Sequence, residues 1–468
     1  MHHPIYLWSA TETAQRLRAR EVSVREVTQA HLDRLAHVNP QLNAIVQPME
    51  AAMARARELD AQGPDEQQAL WGVPITVKIN VDQVGSANSN GLVALAHHVA
   101  THDAPVVQNL KRAGAVTIGR TNTPEFSMRW FTSNALHGVT HNPWDARKTP
   151  GGSSGGAAAA VAAGIGCLAH GNDLGGSLRY PAFCCGVTSI RPSRGRVPAF
   201  APSAAQERPA LTQSMSVQGP IARCVADLRL ALGVMAQRDA RDPLWCNAWD
   251  SGRARRARWR IGVSSNPFGG DVDPALDAAM QQAISALQDA GAEVVTITPP
   301  NAREIAQLWG DLLTTEVHHL MAPALREMAS PTSLAAIESM LGHSRVLDTP
   351  ALLQGLAQRL SHERAWGLMF EDIDALIMPT SLQRPLDNDL DLHGPQHMGA
   401  ILAAQQPLVA VNLLGLPAVA VPTHLVEGLP VGVQVIAALH DDALALDVAQ
   451  ALEDRLGSLW PQLPMNRA

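Results

Sequence analysis

The chain predicts an α/β fold: one domain with helices on both faces of a central sheet. Three observations carry that prediction. Short apolar runs bounded by Gly, Pro or Asn recur along the sequence and alternate with segments of helical period. At 468 residues the chain can bury the core of one large α/β domain or two ordinary ones, and no repeat or low-complexity tail interrupts it. Alanine is abundant and aromatics make up only 4% of residues, which suits helices packed closely on a sheet.

Residues 1–65 predict N-terminal helices. Ser9-Ala-Thr-Glu12 and Ser23-Val-Arg-Glu26 each fit a capping box, and Val24, Val27, Leu35 and Val38 then recur at helical spacing. Asn39-Pro40 is expected to end that helix, and Met49 to Leu59 to form another. Residues 66–230 are the expected core segment. Gly72 to Asn80 reads as a buried strand carrying one charge, Lys78, in a chain with lysine at only three positions. A lysine there is either an edge-strand residue reaching water or a buried one that is paired or neutral. Ala104 to Ala113 predicts a helix, Ala115 to Gly119 a strand, and Arg120 to Trp144 a structured polar loop. A turn at Pro150–Gly152, a small-residue helix from Ala157 to Ala169, a second turn at Asn172–Ser177 and a return into the sheet over Arg179–Ile190 follow. Gln218 to Leu228 leads into a helix ending near Met235.

Residues 238–260 read as a polar connector, including the basic run Arg253 to Arg260. A βαβ-like unit follows: strand Arg260–Ser264, a helix with Leu276, Met280, Ile284 and Leu287 on one face, a stop at Gly291, and strand Glu293–Thr298. Residues 301–370 form a variable helical region. Asp374–Pro379, Pro417–Pro422 and Val431–Ile436 are late strands, and Ala443–Leu456 is a closing helix.

The net charge of −7 offers no electrostatic footprint for nucleic acid or an anionic membrane. The five cysteines are odd in number and contain no C-x-x-C pair, so they read as thiols in a reducing compartment. The opening MHHPIYLW lacks the apolar core of a signal peptide, and a cytoplasmic protein is expected. There is no H-E-x-x-H, no phosphate-binding loop and no G-x-G-x-x-G after a strand. Glu316-Val-His318-His319 could supply metal ligands or be a helix surface.

The chemistry concentrates between Thr149 and Pro192, where two Gly-Gly-Ser turns end in Ser153 and Ser177. Gly151-Gly-Ser153-Ser-Gly155 also matches G-x-S-x-G, but a nucleophile elbow needs an apolar strand directly before it, and Asp145-Ala-Arg-Lys-Thr-Pro150 is not one. A serine nucleophile needs a neighbour to take its proton, and a lysine serves only if burial keeps it neutral. A second serine can relay the proton. Asp173-Leu-Gly-Gly176 ahead of Ser177 can aim consecutive N–H groups at an oxyanion, which favours Ser177 as nucleophile and Ser153 as relay.

The sequence resembles the amidase-signature family of Ser-Ser-Lys hydrolases. The matching stretches are Gly72–Lys78, Arg120–Glu125, Thr149–Gly156, Asn172–Arg179, Gln218–Arg223 with Asp227, Gly415–Pro422 and Gly428–Gln434. The resemblance implies a mixed, twisted central sheet sandwiched between helices, no metal and no organic cofactor. It implies Lys78 as general base, Ser153 as a bridging serine held through a cis peptide, and Ser177 as the acylated nucleophile. The backbone N–H groups of Leu174, Gly175, Gly176 and Ser177 would form the oxyanion hole, and Ser127, Met128 and Trp130 would border the substrate pocket. The implied reaction is hydrolysis of amide or carbamate C–N bonds, and of some esters, through an acyl-enzyme; the alternative within the fold is the glutaminase-type component of a tRNA-dependent amidotransferase. As partners this reading expects a small-molecule amide or carbamate, with no nucleic acid and no membrane, and a homodimer as candidate assembly. Three departures stand out: Ile79 where an aspartate commonly follows the lysine, Asn172 for threonine, and Phe183-Cys-Cys-Gly186. Arg179 is open to two roles, a buried structural arginine or a clamp for a substrate carboxylate.

Overall fold

The computed structural model describes residues 4–248 and 250–466, so the first three residues of the MHHPIYLW stretch lie outside it. An eleven-stranded mixed sheet runs through the centre. In spatial order its strands are Ile45–Pro48, Val116–Thr121, Pro74–Lys78, Leu168–Asp173, Val217–Ala222, Thr188–Arg191, Ala418–Val426, Leu429–Ala437, Ala375–Pro379, Arg260–Val263 and Glu293–Thr296. Pro74–Lys78 is parallel to both of its neighbours. Antiparallel pairings in the middle join this group to a second parallel group formed by the last three strands.

Alternate strand residues feed different apolar layers, as the period of two requires. Ile75, Val77, Ile261, Ile377 and Val435 pack with the helices Pro105–Arg112, Val225–Met235, Ala275–Asp289 and Asp442–Leu456. The opposite layer is divided. One part gathers Val24–Leu42, Ala52–Gln62 and Gly155–Ala162, and the other gathers Ala302–Glu316, Thr349–Asp372 and Gln406–Leu414. Every residue of Gly155–Ala162 is buried. A Cβ on Gly156 would lie 2.5 Å from the backbone nitrogen of Asn122, so glycine is required at that position.

Several boundaries differ from expectation. The helix Val24–Leu42 passes through Pro40, and Asn43 ends it in the left-handed conformation. Pro40 sits in the last turn, where only one intrahelical bond is forfeited. The helix expected over Ala157–Ala169 stops at Ala162, because Gly164 and Gly166 adopt φ of 81° and 75°, and Leu168–Asp173 is a strand. Arg179–Ile190 is likewise a helix, Arg179–Cys185, followed by the strand Thr188–Arg191. Strand Val217–Ala222 precedes the helix Val225–Met235. Lys78 is not on an edge: two strands flank its own on one side and eight on the other. The basic run is structural. Arg253 donates to the carbonyls of Phe370 and Ile373, and Arg256 pairs with Asp374 at 3.3 Å, tying the connector to the sheet. Among the described residues no helix is long and apolar enough to cross a membrane.

Candidate active site

Lys78 is the last residue of its strand, and Asp173 is the last residue of the parallel neighbour. Both therefore stand at the carboxyl ends of parallel strands, where α/β folds open their binding crevices. Lys78 has no solvent exposure. Its Nζ hydrogen-bonds Ser153 Oγ at 2.7 Å, Asn172 Oδ1 at 2.7 Å and Ser154 Oγ at 3.1 Å. Burial pushes its pKa well below the ordinary lysine value, and the Asp173 carboxylate offsets only part of that. A neutral amine has two N–H groups and one lone pair. The Asn172 amide oxygen can only accept, and Ser154 Oγ already reaches Asn172 O at 3.4 Å as a donor. As an ammonium Nζ donates to all three partners; in the neutral form that burial favours, the hydroxyl left to face the lone pair is that of Ser153, which also lines the cavity. The Gly152–Ser153 peptide is cis. A Cβ on Gly152 would lie 2.5 Å from Arg129 O and 2.6 Å from Phe131 N, so glycine is required before the serine.

Asp173 organises the second turn. Its carboxylate accepts from Gly176 N at 2.8 Å, Leu178 N at 3.2 Å, Asn412 Nδ2 at 2.8 Å, and both Nε and Nη2 of Arg179 at 3.1 and 3.2 Å. Burial alone would raise its pKa, but Arg179, Arg191 and Asn412 together hold it below the carboxylate range. Arg179 also donates to Gln434, Asn412 and the Leu408 carbonyl and is wholly buried, so its role is structural. Because Gly176 N–H is engaged by Asp173, the four-donor turn leaves the N–H groups of Leu174, Gly175 and Ser177, which meet no acceptor among the described residues. Gly176 has φ of 101°, and a Cβ there would strike Leu408.

Ser177 is 8% exposed and shares with Ser153 a cavity of about 230 Å³. Ser154 N donates to Ser177 O at 3.3 Å, while no hydrogen bond joins the Ser153 and Ser177 hydroxyls. Ser127, Met128 and Trp130 all line this cavity; Phe131, by contrast, is packed in the core. The polar wall continues the lysine's own network: Asn172 Nδ2 donates to Asn80, Asn80 Nδ2 to Ser127 Oγ, and Ser127 Oγ to Asn90. The apolar wall comes from Phe126, Met128 and Trp130 on one side and Trp309, Leu313 and Val317 on the other.

In the sequence the second apolar wall lies within the variable helical region 301–370, and none of its members stands out. Nothing in the helical period separates Trp309, which faces the cavity, from other buried positions of Ala302–Glu316. Asn172 stood out as a departure, and only the fold shows it touching Lys78. Glu316 accepts from the N–H groups of Leu211 and Thr212 at 2.7 Å each and so holds the start of the helix Ala210–Met215. Among the described residues no three His, Cys, Asp or Glu side chains converge as metal ligands.

The Amidase family model matches residues 26–446. An indoleacetamide hydrolase of Bradyrhizobium diazoefficiens is 45% identical over 468 residues, covering 98% of this chain and 88% of its own. A glutamyl-tRNA(Gln) amidotransferase component from Oleidesulfovibrio alaskensis is 32% identical, covering 97% of this chain and 98% of its own. The solved structure of 6-aminohexanoate cyclic dimer hydrolase complexed with substrate superposes with a TM-score of 0.85 at 26% identity, over 99% of this chain and 100% of that one.

Proposed function

Since the chain belongs to the amidase family and hydrolyses amide C–N bonds, we propose that it acts on small amides with an aromatic acyl group, arylacetamides above all, through an acyl-enzyme on Ser177. The observation that carries this reading is the buried Lys78, hydrogen-bonded to Ser153 in a cavity that Ser177 and the indole walls share. Ser177 Oγ attacks the substrate carbonyl carbon and passes its proton to Ser153, which passes its own to the neutral Nζ of Lys78. The free N–H groups of the 174–177 turn meet the oxyanion. On collapse the C–N bond breaks and the proton returns through Ser153 to the leaving nitrogen, releasing ammonia or an amine. Water repeats the sequence on the ester and releases the carboxylic acid.

The apolar lining and the resemblance to an indoleacetamide hydrolase both support an aromatic acyl group. The amidotransferase reading has weaker support, from the more distant similarity. The five free thiols support a reducing, cytoplasmic setting. The test is a panel of indole-3-acetamide, phenylacetamide, anilides, aryl carbamates and aryl esters, run with wild type and Ser177→Ala and read by intact mass. Arylacetamides should turn over fastest, with an acyl adduct in wild type alone. Turnover by Ser177→Ala at the wild-type rate removes the nucleophile assignment, and glutamine as the preferred substrate favours the amidotransferase.

A further inference from the structure

We propose that Trp309 is a positioning residue for the oxyanion turn: its indole N–H fixes the Leu174–Gly175 peptide so that the Gly175 N–H is presented to the reacting carbonyl. This rests on the assignment of Ser177 as nucleophile.

Two indoles grip the turn. Trp309 Nε1 donates to Leu174 O at 3.0 Å, and Trp130 Nε1 donates to Gly175 O at 2.8 Å. Their rings lie 6.4 Å apart at 42°, and a Cβ on Gly175 would come 2.9 Å from Trp309 Cζ2. Gly175 is thus pressed against the Trp309 ring at Cζ2, with no room for a side chain.

The two contacts do different work. In a trans peptide the C=O and the following N–H point in opposite directions, and the one cis peptide among the described residues lies elsewhere, at Gly152–Ser153. Holding Leu174 O toward Trp309 therefore turns Gly175 N–H away from it. That N–H has no acceptor among the described residues, and Gly175 lines the cavity beside Ser177. Holding Gly175 O toward Trp130 orients Gly176 N–H instead, and that donor is spent on Asp173. Trp309 thus bears on a donor the transition state can use, whereas Trp130 bears on a structural one. Trp309 is also an apolar wall of the cavity, so the surface that meets the substrate is the one that sets the donor.

The test compares Trp309→Phe and Trp130→Phe, each keeping an aromatic wall and deleting the N–H donor. Turnover of phenylacetamide is measured with the inhibition constants of benzyl trifluoromethyl ketone and phenylacetate, and the ketone's hemiketal is followed by fluorine NMR. Trp309→Phe is expected to lower kcat about tenfold with KM within about twofold, a part of the hundredfold or more that a lost oxyanion donor costs. It should weaken the ketone by a similar factor and leave phenylacetate unchanged. Trp130→Phe should lower the melting temperature with a smaller effect on kcat. Equal ketone affinity in wild type and Trp309→Phe, or a change confined to KM, overturns the inference. Absence of the hemiketal in the wild type, or its persistence in Ser177→Ala, instead overturns the nucleophile assignment.

Discussion

Replacing Asn172 by aspartate tests whether Lys78 works as a neutral base. Asn172 Oδ1 lies 2.7 Å from the wholly buried Lys78 Nζ, at the wall of the cavity, and the substitution changes one heavy atom while adding a full negative charge. At an effective dielectric of about 20, opposite unit charges at that distance attract by about 6 kcal/mol. Burying the new carboxylate consumes much of this, and an opposite charge in close contact typically moves a pKa by about 1–3 units. The direction is unambiguous: the ammonium form of Lys78 gains, so neutral base is lost. A working base must be unprotonated, so wild-type kcat/KM falls as pH drops through the lysine's pKa. In Asn172→Asp the same acid limb should move up by about 2 pH units, giving roughly a hundredfold loss at any pH below both limbs. The assay is kcat/KM for phenylacetamide from pH 5 to pH 10, with Asn172→Thr as the uncharged control. A limb that stays in place or moves to lower pH in Asn172→Asp would refute the neutral-lysine reasoning.

Two further outcomes concern stability. Arg129→Met removes a buried guanidinium that pairs with Asp391 and Asp389, each at 2.7 Å; stranding those carboxylates should cost about 3–5 kcal/mol, and an unchanged denaturant midpoint would contradict it. Burial raises Glu453 to about 7 even though Val225 N and Gln450 donate to it. The folded state therefore binds the proton more tightly than the unfolded one, and stability falls as pH rises from about 4.5 to about 7. Glu453→Gln should be more stable than wild type at pH 8, by up to about 3 kcal/mol, with the difference gone by pH 4; chemical denaturation at both pH values checks this.

The sequence made legible those parts of the site set by local chain chemistry. Two Gly-Gly-Ser turns and one lysine in an apolar run can be picked out because glycine and buried charge are each costly unless something requires them. Strand Leu168–Asp173 was not legible, since Cys167-Leu-Ala-His170 follows an alanine-rich helix without a change of composition, and the break depends on two glycines taking positive φ. The polar wall was not legible either. Asn80, Asn90, Ser127 and Asn172 are separate in sequence, and only the parallel pairing of Pro74–Lys78 with Leu168–Asp173 brings Asn172 to Lys78. Trp309 was hidden for a related reason, because a helix buried along most of its length shows no periodic signal for the side that meets a cavity.

The buried arginines bear on how a carboxylate and a lysine proposed to act as a neutral base can share the ends of two paired strands. Asp173 is needed to shape the turn, since it accepts from Gly176 N and Leu178 N, yet its charge favours the protonated form of Lys78. Left unpaired in this low-dielectric setting it would act on Lys78 as Asn172→Asp is expected to. Arg179 at 3.1 Å and Arg191 at 3.9 Å set two positive charges against it. The turn keeps its hydrogen-bond acceptor while the two arginines oppose the carboxylate's charge, and burial outweighs what Asp173 still exerts on Lys78. Arg179 is thus occupied in a way that leaves the base free, which is a physical reason for it to face away from the cavity.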